Sequence, residues 1–96
     1  MTSAYIIVNV TVTNPEQYEE YKKLSTIAMK LYGAEVCVRG GQVEVLEGDW
    51  TPSRVVLLKF KDVAQAHAFY NSAEYGKAIQ ARKNVSVMNM VLVEGV

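Results

Sequence analysis

The sequence predicts an α+β fold in which helices cover one face of an antiparallel sheet. Three observations support this class of fold. Runs rich in β-branched residues stand near both ends of the chain, amphipathic helical segments separate the groups of strands, and a pair of glycines joins two short alternating runs. In this order the elements fit a βαββαβ arrangement, the ferredoxin-like topology, as one domain spanning residues 1–96.

The first two elements are predicted to be a strand and a long helix. Residues 5–12, YIIVNVTV, carry apolar side chains at both parities, which indicates a strand that is covered on both faces. Asn14 then suits a helix N-cap, and it is followed by a proline and a glutamine at the positions of a capping box. Apolar residues continue at steps of three and four, and Gly33 stands where a left-handed C-terminal cap is expected.

A β-hairpin is predicted to follow the helix. Residues 34–38 and 42–46 alternate apolar and polar side chains around a Gly-Gly pair, which can adopt the positive φ angles of a primed turn. With a two-residue turn, the valines of both runs share one face and Glu47 ends that face, whereas Arg39 and Glu44 lie on the other. A longer turn would exchange the two faces.

The second half of the chain is predicted to add two strands and two helices. After a loop at residues 48–52, residues 54–61 form an apolar strand. Asp62 then repeats the capping pattern and opens a helix, Ser72 caps a further short helix, and residues 85–94 form the last strand.

The predicted strands at residues 5–12, 54–61 and 85–94 are apolar on both faces, although the helices can cover only one. An open sheet face of this kind exceeds what soluble monomers usually leave exposed. A second copy packed sheet to sheet is the simplest cover, so the sequence predicts a homodimer.

The composition excludes several classes of function. Ten basic and ten acidic side chains cancel, so the chain lacks the positive field that nucleic acid or an anionic membrane requires. No apolar run is long enough to span a bilayer, and no signal peptide is evident, so a cytoplasmic location is expected. The chain has one histidine and one cysteine and no cluster of possible ligands, so no metal site is expected. The Gly-Gly pair precedes no helix, so no glycine-rich loop for a phosphate or a nucleotide cofactor is expected either.

Several motifs of the chain resemble one family. The blocks LYGAEVCVRGG and VLEGDWTPSR, followed by SAEY and Arg82, resemble the domain of unknown function 1330 family over nearly the whole chain. Ala34 and Ala73 depart from its pattern, where many members have glycine and proline. The resemblance implies a dimeric α/β barrel, whose wider superfamily includes cofactor-independent monooxygenases, muconolactone-isomerase-like enzymes and haem-binding proteins. It implies no established activity, because a fold does not determine a function.

Charged residues around the predicted hairpin form the candidate site. Because Glu47 would end the valine-bearing face, it must pair with a cation or have its pKa raised by desolvation, as general bases and ligand anchors do. It could form a structural ion pair with Arg54 or Arg82, or the same groups could clamp a small carboxylate. The structural ion pair is the favoured interpretation. Arg39 is a further ligand-binding candidate, unless it only forms a surface ion pair with Glu44.

Four other residue types are weighed in the same way. Trp50 is either a lid over a pocket or, as favoured here, a buried plug beneath its loop. Tyr75 and Arg82 are seven residues apart, which places them on one helix face directed at the sheet. His67 could reach the edge of a pocket as a general base or haem ligand, but a half-exposed histidine on the helix flank is favoured. Cys37 is interpreted as apolar filling of a strand, and the other tyrosines as the margin of the core.

Two functional hypotheses follow from the sequence. The first is a homodimer that binds a small organic molecule in a pocket between sheet and helices, lined by Glu47, Trp50, Tyr75 and Arg82, with cofactor-free acid/base or monooxygenase-like chemistry. The second is a non-catalytic structural or interaction protein, in which the same polar residues form a closed network at the dimer interface.

Overall fold

The computed structural model describes residues 2–96, which form seven elements of secondary structure. Their order is β1 (Ala4–Val12), α1 (Pro15–Leu31), β2 (Glu35–Arg39), β3 (Val55–Phe60), α2 (Val63–Tyr70), α3 (Ala73–Ala81) and β4 (Ser86–Glu94). The strands form one antiparallel sheet in the order β2-β3-β1-β4, with the helices on one face. The predicted α+β, ferredoxin-like fold is therefore confirmed.

The helices begin where the capping residues predict. Asn14 Oδ1 accepts a hydrogen bond from the Gln17 amide at 3.2 Å, and Asp62 Oδ1 accepts one from the Gln65 amide at 2.8 Å. Ser72 Oγ caps α3 in the same way. These side chains satisfy backbone donors that have no partner within the first helical turn, which is why short polar residues mark the boundaries.

The inner face of the sheet, which is turned toward the helices, carries the core. Alternate residues of β1 are buried there against the aromatic side chains of all three helices. The largest buried side chains on the two sides are Tyr75, Phe60, Phe69 and Val10. The core therefore fills the space between sheet and helices.

The outer face of the sheet has no cover among residues 2–96. On β4, the outward side chains of Val87, Val91 and Val93 are 62%, 55% and 45% exposed. Tyr5 and Ile7 of β1 point to the same side, because they alternate with buried residues. The two-faced apolar strands seen in the sequence thus correspond to one buried face and one open face.

The predicted hairpin does not form. Residues 42–46 are not a strand, and β2 pairs instead with β3, with a bulge at Cys37 between the Val36–Leu58 and Val38–Leu57 pairs. Residues 41–52, which we call the arm, connect β2 to β3 along an irregular path, and all of them except Pro52 are exposed. Pairing with β3 makes β2 part of the four-stranded sheet. The valines of the arm, in contrast, are not covered by any apolar surface among residues 2–96, so the arm has no buried face to hold it as a strand.

Candidate functional site

Three tyrosines from two helices meet above the inner face of the sheet. Tyr18 and Tyr21 of α1 have ring centroids 5.1 Å apart, and the hydroxyls of Tyr21 and Tyr75 are 2.7 Å apart in a buried hydrogen bond. All three side chains are buried, and the Tyr21 hydroxyl also lies 4.0 Å from the sulfur of Met88. A buried phenol needs a partner for its hydroxyl, and here the two hydroxyls satisfy each other.

Three arginines border the same cluster. Arg39 lies at the end of β2, Arg54 immediately before β3 and Arg82 at the C-cap of α3. Arg82 Cζ lies 5.8 Å from the centroid of the Tyr21 ring, which is within cation–π range. Arg39 donates a hydrogen bond to Thr26 Oγ1 of α1 at 3.0 Å. The fold thus directs three cations at one group of phenols from separate elements.

None of these arginines is paired with a carboxylate among residues 2–96. The ion pair found in that part of the chain joins Lys22 and Glu19 at 3.1 Å. The Nε atoms of Arg54 and Arg82 are buried and have no hydrogen-bond acceptor in the described structure. Buried cationic groups normally have a hydrogen-bond acceptor or an opposite charge beside them. These two nitrogen atoms are therefore donors that a bound anion could use.

Gly40 makes room for one of these arginines. The guanidinium of Arg54 lies over Gly40, and a Cβ atom there would come within 2.7 Å of Arg54 Cζ. Gly40 also has a φ of +73°, which side-chain-bearing residues rarely adopt. The first glycine of the RGG motif therefore permits both the chain reversal after β2 and the close approach of Arg54. The neighbouring Gly41 has open space around it.

Between α1 and the inner sheet face, the three phenols together with Arg39 and Arg54 line a space that we call the arginine cleft. Its deep wall is apolar and includes Val8, Leu58 and Met88. The closed interior is only about 30 Å³, although the volume including the open mouth is about 440 Å³. An interior of that size holds one or two water molecules, or one small polar group of a ligand.

The mouth of the arginine cleft continues into a shallow depression at the surface. This depression has a volume of about 170 Å³ and shares Tyr18, Lys22 and Arg54 with the cleft. Pro15 and Glu19 form its other side. A ligand whose polar head enters the cleft would therefore extend over a surface that α1 supplies.

The phenols of the cleft are held in their neutral form. Burial raises the pKa of Tyr18 to about 12, and the adjacent Tyr21 adds to this, while the three guanidinium groups act in the opposite direction. Burial also raises the pKa of Tyr21, as do its proximity and hydrogen bond to Tyr75. The pKa of Tyr75 is raised by burial, against opposing contributions from Tyr21 and Arg82. At neutral pH these hydroxyls can therefore donate hydrogen bonds to a bound anion.

The structure separates the candidates that the sequence had grouped. Arg54 and Tyr75 line the cleft with Arg39, and Arg82 lies beside it against the Tyr21 ring, whereas Glu47 and Trp50 lie on the arm and are exposed. Glu47 does not end a buried face and forms no ion pair with Arg54 or Arg82, so that prediction is wrong. It fails because it depended on the hairpin.

Trp50 also differs from its favoured interpretation. Its side chain is 63% exposed, so it is not a buried plug beneath the loop, and it lines neither the arginine cleft nor the hollow beside His67. The predicted diagonal pair of Arg39 and Glu44 is absent for the same reason as the hairpin. Cys37 is exposed at the bulge of β2 and does not fill the strand.

His67 lies beside a different, wider depression. It is exposed on α2, at a hollow of about 290 Å³ lined by apolar side chains such as Ile6, Met90 and Leu92. This hollow has a larger volume than the arginine cleft. Its titratable lining residues are His67 and Tyr70, and the other described lining residues are apolar. The arginine cleft has the stronger chemical character of a binding site.

Tyr18 and Tyr21 were missed as site residues because they resemble an ordinary amphipathic stripe. Their spacing of three residues places them on one face of α1, which is equally typical of a core margin. The hydrogen bond that distinguishes Tyr21 joins it to a residue 54 positions away. No local signal in the sequence marks that contact.

Two structural absences bear on the site. Across residues 2–96, no group of three or more His, Cys, Asp or Glu side chains could hold a metal ion. Within the same range, no helix has the length and hydropathy needed to cross a membrane.

The fold and the cleft together define a ferredoxin-like α+β protein with an arginine-rich, tyrosine-lined space between sheet and helices. The chain belongs to the family described as Domain of unknown function (DUF1330), which matches residues 3–96. The resemblance noted in the sequence is thereby confirmed. No protein of curated function matches the sequence.

Solved structures with the same fold include proteins of several descriptions. A protein of unknown function from Rhodopseudomonas palustris has a TM-score of 0.79 at 16% identity, covering 99% of this chain and 83% of that one. SnoaB, a cofactor-independent oxygenase from Streptomyces nogalater, has a TM-score of 0.65 at 13% identity, covering 96% and 91%. A dimeric protein of unknown function from Bacteroides fragilis has a TM-score of 0.57 at 11% identity, covering 96% and 95%. At these identities the similarity establishes the shared fold alone.

Proposed function

We propose that this protein is a homodimer that binds a small organic anion in the arginine cleft. The observation that carries the proposal is that Arg39 and Arg54 line the cleft, that Arg82 lies against the ring of Tyr21, which also lines it, and that none of the three has a carboxylate partner among residues 2–96. Guanidinium groups bind carboxylates and other planar oxyanions through paired, charge-assisted hydrogen bonds. The buried, unaccepted Nε atoms of Arg54 and Arg82 supply donors for such a ligand.

The shape of the cleft limits the ligand. The closed interior of about 30 Å³ accommodates a small group such as a carboxylate or an enolate oxygen, and a larger body must lie at the mouth. That body would contact the Tyr18 ring and the depression beside it, which favours an aromatic or apolar portion. The proposed ligand is therefore a small organic acid with an apolar body.

The residues of the cleft favour binding and stabilisation of negative charge over proton abstraction. No Asp, Glu or His is among the described residues that line the cleft, so it holds no general base of its own. The neutral hydroxyls of Tyr21 and Tyr75 can stabilise an oxyanion that develops on the ligand. The finer proposal is cofactor-free chemistry in which the cleft stabilises negative charge that develops on the ligand, and the fold that the chain shares with the oxygenase SnoaB is compatible with it.

The homodimer is proposed from the open sheet face. The exposed side chains of Val87, Val91 and Val93 form an apolar surface on the side opposite the helices, and a second copy of this chain would bury it. The ferredoxin-like protein from Bacteroides fragilis is described as dimeric. Sedimentation velocity should give a dimer at micromolar concentration. Val91→Asp should give a monomer, and a wild-type chain that sediments as a monomer would remove this part of the proposal.

The binding proposal is tested with matched ligands and matched variants. Small aromatic and aliphatic carboxylates should raise the melting temperature in a thermal-shift screen, because a ligand that binds only the native state stabilises it. The corresponding uncharged amides should leave the melting temperature unchanged. For a carboxylate that binds, Arg82→Gln and Arg54→Gln should each weaken affinity about 10- to 100-fold in calorimetric titration, the equivalent of one lost charge-assisted hydrogen bond. Lys77→Gln, an exposed cation on α3 outside the cleft lining, is the matched control.

The alternative is a non-catalytic protein in which these residues form a closed polar network. It has less support, because a closed network would leave no buried guanidinium nitrogen without an acceptor. The two proposals differ in the same titration. If no carboxylate binds, or if affinity is indifferent to both arginine substitutions, the anion site is refuted and the network is the better explanation.

A further inference from the structure

We propose that the arm of each protomer docks on a second copy of the chain, at the mouth of its arginine cleft, and supplies the carboxylates and the tryptophan that complete the site. The arm comprises residues 41–52 and contains Glu44, Glu47, Asp49 and Trp50. This inference rests on the proposed cleft and homodimer, and it adds the source of groups that the cleft lacks.

The first observation is that the arm is unsupported in its own chain. Its side chains are exposed apart from Pro52, and the described structure shows no hydrogen bond between residues 41–52 and the rest of the chain. Leu46 is 90% and Trp50 63% exposed. A segment that exposes large apolar side chains and makes so few contacts gains little free energy to offset the loss of conformational entropy when it is ordered. A surface outside its own chain would supply the missing contacts.

The second observation is charge complementarity. The arm is acidic, with three carboxylates and no cation between residues 41 and 52. The mouth of the cleft is basic, with Arg39, Arg54 and Lys22 along its border. Among the described residues, the ion pair that either group makes within its own chain is the one between Lys22 and Glu19. Complementary patches of this kind on one sequence favour docking between two copies of it.

The third observation is the reach of the arm. Its twelve residues can extend about six residues outward before returning, or roughly 20 Å at about 3.3 Å per residue. Two sheets packed face to face lie about 10 Å apart. An arm of this length therefore crosses a sheet-to-sheet interface and reaches the layer between the partner's sheet and its helices, where the cleft opens.

The arm would bring two functions to the cleft. The depression of about 170 Å³ at the cleft mouth is a surface on which Trp50 could lie against Tyr18 and Pro15, excluding water from the ligand. Glu47 would provide the carboxylate that the described cleft lining lacks, while Arg82, which lies 5.8 Å from the centroid of the Tyr21 ring and is not part of the cleft border, would remain unpaired by the arm. The site would then be built from two chains, with the sequence motif EGDW at its entrance.

A charge-swap experiment tests the docking without any ligand. One variant reverses the arm (Glu44→Lys, Glu47→Lys and Asp49→Lys), and a second reverses the cleft border (Arg39→Glu and Arg54→Glu). Each alone should raise the dimer dissociation constant about tenfold or more, because like charges then face each other at both clefts. In an equimolar mixture both clefts of a heterodimer regain opposite charges, so heterodimers should form preferentially, with a dissociation constant within about threefold of wild type.

The outcomes are distinct from those of the binding experiment. Dimers that are unaffected by either reversal would overturn the inference, since the arm would then dock on no charged surface. Loss of dimerisation that is not restored by mixing would also overturn it. An arm that folds onto the cleft of its own chain would still face like charges in the heterodimer, so mixing could not repair it. Failure of every carboxylate to bind would refute the anion site and leave the charge-swap result unchanged.

Two controls guard against misfolding. Arg39→Glu alone changes an exposed residue and provides a milder border reversal than the pair that includes the part-buried Arg54. Circular dichroism of each variant establishes that the fold is intact before mixing.

Trp50, the single tryptophan, gives an independent readout: acrylamide should quench its fluorescence less in the wild-type dimer than in the arm-reversed variant. Equal quenching in both would contradict docking.

Discussion

The buried hydrogen bond between Tyr21 and Tyr75 gives the sharpest test of how the cleft is held together. Replacing Tyr21 with phenylalanine removes one hydroxyl and leaves the ring, so its packing against Tyr18 and Tyr75 at centroid distances of 5.1 and 6.2 Å is kept. No cavity of ring size is created. The change therefore isolates the 2.7 Å hydrogen bond between the two hydroxyls.

The magnitude follows from burial. Tyr75 is 1% exposed, and its described hydrogen-bond partner is the Tyr21 hydroxyl. Without that partner the Tyr75 hydroxyl is buried and unsatisfied, which costs about 1–3 kcal/mol. We expect Tyr21→Phe to lower the free energy of unfolding by about 2 kcal/mol, which corresponds to a fall in Tm of roughly 10 °C for a domain of this size.

The reverse substitution should cost less. In Tyr75→Phe the Tyr21 hydroxyl keeps the sulfur of Met88 at 4.0 Å, a weak acceptor, so we expect a loss of about 1 kcal/mol. The double variant removes both hydroxyls and leaves neither unsatisfied, so its loss should be smaller than the sum of the single losses by about 1–2 kcal/mol. Urea unfolding at one fixed protein concentration measures all four proteins, because the proposed dimerisation would couple stability to concentration. Additive single losses would refute the reasoning.

Three further predictions concern the turn, the phenols and a helix cap. Gly40→Ala should lower the free energy of unfolding by about 1–2 kcal/mol, because φ is positive there, and should displace Arg54 and weaken carboxylate binding; Gly41→Ala, which has open space, is the control for both measurements. Because burial raises the pKa of Tyr18 from 10.0 to about 12, the unfolded chain loses that proton first as the pH rises. The stability contribution is therefore full below pH 10 and is lost toward pH 12, so unfolding free energy should fall with pH in that window and fall less steeply in Tyr18→Phe. Asp62→Ala should cost about 1 kcal/mol and Asp62→Asn much less in thermal unfolding, and equal losses would contradict a capping role.

Much of the fold could be predicted because its signals are local. Asn14, Asp62 and Ser72 mark the helix starts, since a capping side chain bonds to a backbone amide three residues away. The alternation of buried and exposed residues along β1 and β4 is likewise a property of each strand by itself. These features require no knowledge of distant parts of the chain.

The hairpin could not be judged in this way, because a strand exists only with a partner. Residues 42–46 alternate as a strand does, but β2 pairs with β3 across a long connection. The consequence was large for the site, since Glu47 had been assigned to a buried face through that hairpin. Without the pairing of the two runs, Glu47 lies on the exposed arm.

The amino-acid sequence by itself determined the class of fold, the helix boundaries, the family and the presence of a second apolar sheet face, because periodicity and capping act between neighbours along the chain. Only the tertiary structure decided that Tyr21 bonds to Tyr75, that Arg54 lies over Gly40, and that three arginines surround one group of tyrosines with no carboxylate partner among residues 2–96. These contacts join residues brought together by burial of a shared core, and the residue types alone do not specify which distant partners will meet.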